Sequence, residues 1–380
     1  MHAILERRNL ELLRGLETLI QLLSAARPPS ELRPYQNQVI AKCRDLHANV
    51  TQNIGYLKLK QPQIMADVLS LTQHATQELR LISSRLATPI LRGAPADRLC
   101  LRTIGWLHAS HPETATFPPA FINDSCAIWP FRGVAPIYFF PSIEQNSLLY
   151  QPLLFHEFGH FLYRCHEAEM DALVRDLQFA VDDLLMPASQ RNDRYSEVMT
   201  SQRQEIADTW YAWIQELFCD AVGFTIGGPS FLYAFSYFLG MLDQGDFYRQ
   251  PRDLRYSSHP VTWLRVHFLS RRVVAAGFNS LSARIENEWR AVAQVMGVKE
   301  DYHGYYDESL DQVITQTLED MLTEAAPRPF EVADCTGGAW SPNADSLVRL
   351  FNLAWQLYTT QPDLYAEWEK SQVKRLLNHS

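Results

Sequence analysis

The chain has 380 residues, 47% of them hydrophobic and 20% charged, and its 34 Lys and Arg against 43 Asp and Glu give a net charge of −9. That balance describes a folded globular protein, excludes an intrinsically disordered one, and argues against a general nucleic-acid binder, which needs a basic face. The length exceeds what one hydrophobic core usually covers, so two or three packed regions are expected.

Residues 8–90 predict three helices. Leu10, Leu13, Leu16, Ile20 and Leu23 trace one apolar face at helical spacing. ARPPSELRPYQ then breaks the chain, with Ser30 as the expected N-cap of a helix from Leu32 onward. A third helix follows Pro62, its apolar positions including Met65, Val68, Leu69, Leu79 and Ile82. Between 91 and 147 the helical period disappears, prolines and aromatics dominate, and 126–131 and 134–140 read as short strands. A helix over about 147–166 comes next, then a long amphipathic helix to about 185. MPASQRNDRYSEVMTSQRQ reads as a polar loop, a candidate gate over a cleft, and helix resumes near 203 and runs to about 224. The uncharged run 221–242 is long enough to span a bilayer, but Gly227-Gly228-Pro229 divides it into two buried core helices. After 280 the chain is helical again, with Ile285, Trp289, Val292 and Met296 on one face and Leu310, Ile314, Leu318 and Met321 on another; the tail 344–378 reads the same way. The expected fold is mainly α with a small β-sheet.

Cys43, Cys100, Cys126, Cys165, Cys219 and Cys335 are scattered without a CxxC pair, unlike a disulfide framework. The N-terminus MHAILERRNLELLRGLETLIQ has no uninterrupted apolar core and is not a signal peptide. A reducing, cytoplasmic setting is expected.

The chemistry concentrates in LLFHEFGHFLYRCH. His156 and His160 are four residues apart, so a helix presents both imidazoles on one side, while Glu157 lies one step round, within reach of a metal-bound water. Leu153, Leu154, Phe155, Phe158, Phe161 and Leu162 surround them, and buried histidine and glutamate need partners. Gly159 in mid-helix costs about 1 kcal/mol against alanine, which calls for a packing reason. A catalytic zinc wants a third protein ligand and an open position. WYAWIQELFCDAVGF offers Glu216 as that ligand. Asp220, one turn on, can accept a hydrogen bond from a ligating imidazole and fix its tautomer. Glu205 with Asp208 is a second-choice acidic pair, and His166 a runner-up ligand.

HEFGH, then ELFCDAVG, then SSHPVTWLRVHFL together resemble the order in zinc endopeptidases of the HtpX and CAAX-protease type, a group of gluzincins. The corresponding residues are His156, Glu157 and His160; Glu216, Asp220 and Gly223; and His259, Pro260 and Arg265, with Cys219 where alanine is usual. The resemblance covers about 134–270. It implies a zincin-like core over 121–280, flanked by helical regions over 1–120 and 281–380, and an edge strand in VAPIYFFPS that pairs with an extended peptide. It also implies a Zn²⁺-dependent metalloendopeptidase, with Glu157 as general base and a protein or peptide as substrate, narrow in specificity or regulated. His259 is then an oxyanion donor, a displaceable fourth ligand, or only the cap of the helix after Pro260. The helical flanks are candidate surfaces for a regulatory protein partner. The alternative is a zinc-stabilised scaffold or sensor without peptidase activity; a membrane-embedded peptidase rests on 221–242 alone.

Overall fold

The computed structural model describes residues 1–59, 61–131, 134–185, 196–240, 247–255, 257–342 and 345–378. It is mostly helical with one three-stranded sheet, and its contacts divide it into two compact units, Met1–Asn146 and Ser147–Ser380. The division falls at 146/147 rather than at the expected 120 and 280. The sheet packs with helices of the first unit, and the C-terminal helices pack onto the elements that carry the histidine motif.

In the first unit α1 (His2–Ala25), α2 (Arg33–Lys58) and α3 (Met65–Leu81) pack on one another. The buried face of α1, however, is Leu5, Leu12, Leu16, Leu19 and Leu23, with Leu10 exposed and Leu13 and Ile20 half-buried, so the expected face is rotated. Their core includes Leu12, Leu16, Leu23, Val39 and Leu46. Ser30 does not cap α2: it opens a short 3-10 turn, Ser30–Leu32, and its hydroxyl donates to Glu31 Oε2 at 2.9 Å. A short helix α4 (Thr88–Arg92) leads to α5 (Arg98–Ala109), which lies where no helix is expected. The sheet has order β1-β3-β2, with β1 (Phe121–Asn123) parallel and β2 (Ala127–Phe131) antiparallel to β3 (Val134–Phe140). The strand expected at the edge is therefore the central one. Every residue of β3 is buried; β2 pairs along it from Val134 to Phe139, and β1 takes its other edge at Tyr138–Phe140, so that end of the strand is closed to an extended peptide.

The second unit begins with α6 (Leu154–Cys165) and α7 (Glu167–Leu185), followed by the long α8 (Ser196–Gly227). The polar segment expected as a loop to 204 is helical from Ser196; residues 186–195 of it lie outside the described residues. Gly228, with φ of +58°, ends α8, and Pro229 opens α9 (Pro229–Leu239) at a position where its missing N–H costs nothing. Among the described residues no helix is long and apolar enough to cross a membrane. A short α10 (Pro251–Arg255) precedes α11 (Thr262–Ala275) and α12 (Asn279–Met296). Then α13 (Asp311–Ala325) packs on α7 and α8, and α14 (Leu347–Thr360) on α8, α9 and α15 (Pro362–Asn378). Leu310, Ile314, Leu318 and Met321 are all buried.

Candidate metal centre

Two helices build the site. On α6 the stretch Leu154–Tyr163 buries Leu154, Phe155, Phe158, Phe161 and Leu162, which fixes the rotation of the helix and sets His156 and His160 together on one side. Their rings meet edge to face, 5.0 Å between centroids. Across from them α8 buries Trp213, Ile214, Leu217 and Phe218, and from the same turns Glu216 and Asp220 face α6. Gly159 supplies the packing reason. An ideal Cβ there would sit 2.8 Å from the Cys219 Cα and 3.2 Å from its Sγ, so only glycine lets the two helices come this close. Cys219 fills the space beneath the motif.

The cluster has a definite wiring. His156 Nδ1 and Asp220 Oδ1 are hydrogen-bonded at 2.8 Å, which places the donated proton on Nδ1 and makes Nε2 the nitrogen that a metal could take. Asp220 is held in turn by Arg265 of α11, whose Nε reaches Oδ2 and whose Nη2 reaches Oδ1, both at 2.7 Å, a two-pronged pair buried from solvent. Glu216 is different. His156 Nε2, His259 Nε2 and Arg265 Nη2 each stand 3.4 Å from its Oε2, and His160 Nε2 stands 3.4 Å from its Oε1. These separations are long for N–H···O bonds, and Oε2, fully removed from water, has no hydrogen-bond partner.

The spacing can be compared with what an ion between such atoms would impose. Donors about 2.0–2.1 Å from a tetrahedral ion stand about 3.3–3.4 Å from one another, and Glu216 stands at that distance from each ring nitrogen through a different oxygen, Oε2 to His156 and Oε1 to His160. The donor types also fit, since imidazole and carboxylate suit a borderline divalent cation. His156, His160 and Cys219 likewise bring one ligand atom each within 4.8 Å of one another, a group that could hold a metal ion. The thiol and the carboxylate are thus two candidate third donors; they differ in protonation before an ion binds, although a bound cation would deprotonate the thiol as well. Burial and then the Glu216, Asp220 and Glu157 carboxylates hold the Cys219 thiol well above its usual range. Burial also resists the charge on Glu216, but His156 and Arg265 overcome it and keep the carboxylate ionised far below its usual range. Glu216 is the donor already in its ligating form.

The two histidines are poised differently. Burial opposes the charge on His156, but the Asp220 and Glu216 carboxylates outweigh it and lift its pKa to about 10. Burial and the neighbouring His156 push His160 down to about 4. Without an ion, therefore, the pair carries one positive charge at neutral pH, on His156, and a cation binding at its Nε2 must expel the proton there.

The remaining expected residues fall into place or out of it. Glu157 is buried on α6 directly after His156. His259, half-exposed at 50% where His156 is 12% and His160 28%, turns its ring to Glu216 while Ser258 Oγ bonds its Nδ1 at 2.8 Å. It does not cap α11, which starts at Thr262 with Val261 before it. Pro260 only separates His259 from that helix. His166 lies at the C-terminal end of α6, where its Nδ1 and Glu324 Oε1 are 3.1 Å apart. Glu205, nearly three turns before Glu216 on α8, is taken up by the Tyr305 hydroxyl at 2.7 Å and by Arg255 at 3.3 Å, and Asp208 by Gln204 at 2.9 Å. The second-choice acidic pair is therefore occupied elsewhere. Arg265, named by resemblance alone, proves the residue on which Asp220 depends. Comparison with family models, with curated proteins and with solved structures finds no match to this chain.

Proposed function

We propose that the chain is a metal-dependent peptidase, with zinc on His156, His160 and Glu216. The observation that carries the reading is Glu216: a buried, ionised carboxylate whose Oε2 has no hydrogen-bond partner, with His156 Nε2 3.4 Å from Oε2 and His160 Nε2 3.4 Å from Oε1. Bound there, zinc lowers the pKa of water toward neutrality and polarises a carbonyl. Asp220 holds the His156 ring so that Nε2 is the nitrogen a metal could take, and Arg265 holds Asp220. Glu157 has the role of general base, taking a proton on its carboxylate and returning it to the leaving amine. His259, the most exposed ring at the cluster, is placed to donate from Nε2 toward charge developing on a substrate oxygen. The order of HEFGH, ELFCD and HP with Arg265, as in the HtpX-type and CAAX-protease-type gluzincins, is what directs the reading to peptide bonds, and a protein or peptide is the substrate class.

Cys219 favours a second reading. If its thiol were drawn in as a fourth donor, the set would close and the ion would be structural, as in a zinc-stabilised scaffold. Against this, the Sγ is committed to the close approach at Gly159, and a closed site gives Glu157 nothing to do. The test is digestion of a mixed peptide library by zinc-loaded wild-type and Glu157→Gln protein, read by mass spectrometry beside metal content. The reading predicts equal metal and a loss of cleavage of about 10²–10⁴-fold in the variant. Undiminished cleavage, or none by the wild type, would count against it.

A further inference from the structure

Where α1 ends and α2 begins, a cavity of about 560 Å³ opens in the first unit. Pro28, Gln36 and Ile40 form its buried floor, and Arg27, Arg33 and Arg44 stand exposed along it. No carboxylate lines it, and among the described residues none of the three arginines is in an ion pair, in a chain whose net charge is −9. Three cations are thus gathered without a counter-charge.

Two of the polar groups are held in place. Arg27 Nη1 donates to the carbonyls of Ser24, Ala25 and Ala26 at 3.4, 3.2 and 3.3 Å, at the C-terminal end of α1. Gln36 Nε2 donates to the Leu23 and Ala26 carbonyls at 2.6 and 3.3 Å. Arg33 stands at the first position of α2, whose opening turn has no acidic residue, so its charge opposes the helix dipole. Arg44 is eleven residues on, about three turns and about 16 Å along the same face. An anion would relieve the mutual repulsion of the arginines and the unfavourable position of Arg33 together. One phosphate is small for that spread; two or more match it. The lining holds no aromatic ring, so recognition rests on charge and hydrogen bonds rather than stacking.

We propose that this cavity binds a small polyphosphorylated molecule through Arg27, Arg33 and Arg44. The proposal does not rest on the peptidase reading. The test is isothermal titration calorimetry of the full chain at physiological ionic strength, with inorganic tripolyphosphate and orthophosphate as probes. The expected result is saturable binding of one tripolyphosphate per chain, tighter than orthophosphate. Arg33→Gln and Arg44→Gln should each weaken it at least about tenfold, as loss of a charge-assisted contact implies. Arg175→Gln, on exposed α7, should leave it unchanged, and thermal melts should show all variants folded. No saturable heat, equal binding in the two variants, or binding only to phosphoinositide vesicles and not to tripolyphosphate would overturn the proposal.

Discussion

Glu31 in the first unit and Glu216 in the second have side chains 9% and 8% exposed, and both face arginine. Glu31 is fully answered by the chain itself. Arg98 Nε stands 3.0 Å from Oε1 and 3.3 Å from Oε2, Arg98 Nη2 and Arg102 Nε stand 3.0 and 3.1 Å from Oε1, and the Ser30 hydroxyl bonds Oε2 at 2.9 Å. Around Glu216 the nitrogens stop at 3.4 Å and one oxygen is left unpaired. Side-chain exposure is alike, Glu216 lies deeper in the protein, and the two differ in what completes the acid. A carboxylate that closes its own hydrogen bonds is architecture, whereas one held back from every donor in reach is arranged around something else. That contrast is sharper than a motif, because it depends on distances rather than residue types.

Three substitutions press on the comparison, the strongest first. Arg265→Met leaves Asp220 charged and buried without its two-pronged partner, and should cost about 3–5 kcal/mol in urea unfolding, as breaking a buried pair does. A loss under about 1 kcal/mol would mean that Asp220 is satisfied by other groups. Gly159→Ala forces a Cβ against the Cys219 backbone and should destabilise by about 1–3 kcal/mol. Cys219→Ala should not rescue it, because the nearest clash is with Cα, and alone it should retain the metal; metal loss in that single variant would favour the thiol as ligand.

The mildest test concerns pH. Burial raises the Glu31 pKa, but the Arg98 hydrogen bonds prevail and bring it down to about 2 from an ordinary 4.5. A folded value below the unfolded one means the contribution is complete above pH 4.5 and fades as the pH falls toward 2. Glu31→Gln protein should therefore lose less stability than wild type across that interval, with a gap of about 1–2 kcal/mol at neutral pH that narrows in acid. Parallel curves would show that Glu31 does not titrate in the window.

Much of this was legible before the structure. The four-residue spacings of His156 with His160 and of Glu216 with Asp220 each define one helix face, and a buried face of that kind demands partners. The Gly227-Gly228-Pro229 break was equally plain. What escaped has physical reasons. In α5, Leu99, Cys100, Leu101, Thr103, Ile104, Leu107 and His108 are buried, so the helix is covered over much of its circumference and shows no clean stripe. β1 is three residues long and pairs in parallel with a strand seventeen residues on, past the intervening β2, a contact no local pattern announces. For β3 the signal was present and went unused: VAPIYFF is continuously apolar, the mark of a strand covered on both faces, and resemblance to an edge strand outweighed it. The first turns of α8, SEVMTSQRQ, have only Val198 and Met199 as apolar residues and imitate a loop. Cys219 was noted only as a departure, although a thiol facing a mid-helix glycine could have been inferred from the need of Gly159 for a close neighbour.

The claim at the centre is that Glu216 completes a metal site with His156 and His160. Elemental analysis of purified wild-type and Glu216→Ala protein, side by side after zinc reconstitution, addresses it most directly. The account predicts about one zinc per wild-type chain and a sharp loss in the variant, since a three-ligand site cannot spare its only carboxylate. Zinc retained in full by Glu216→Ala, or absent from the wild type, would contradict it.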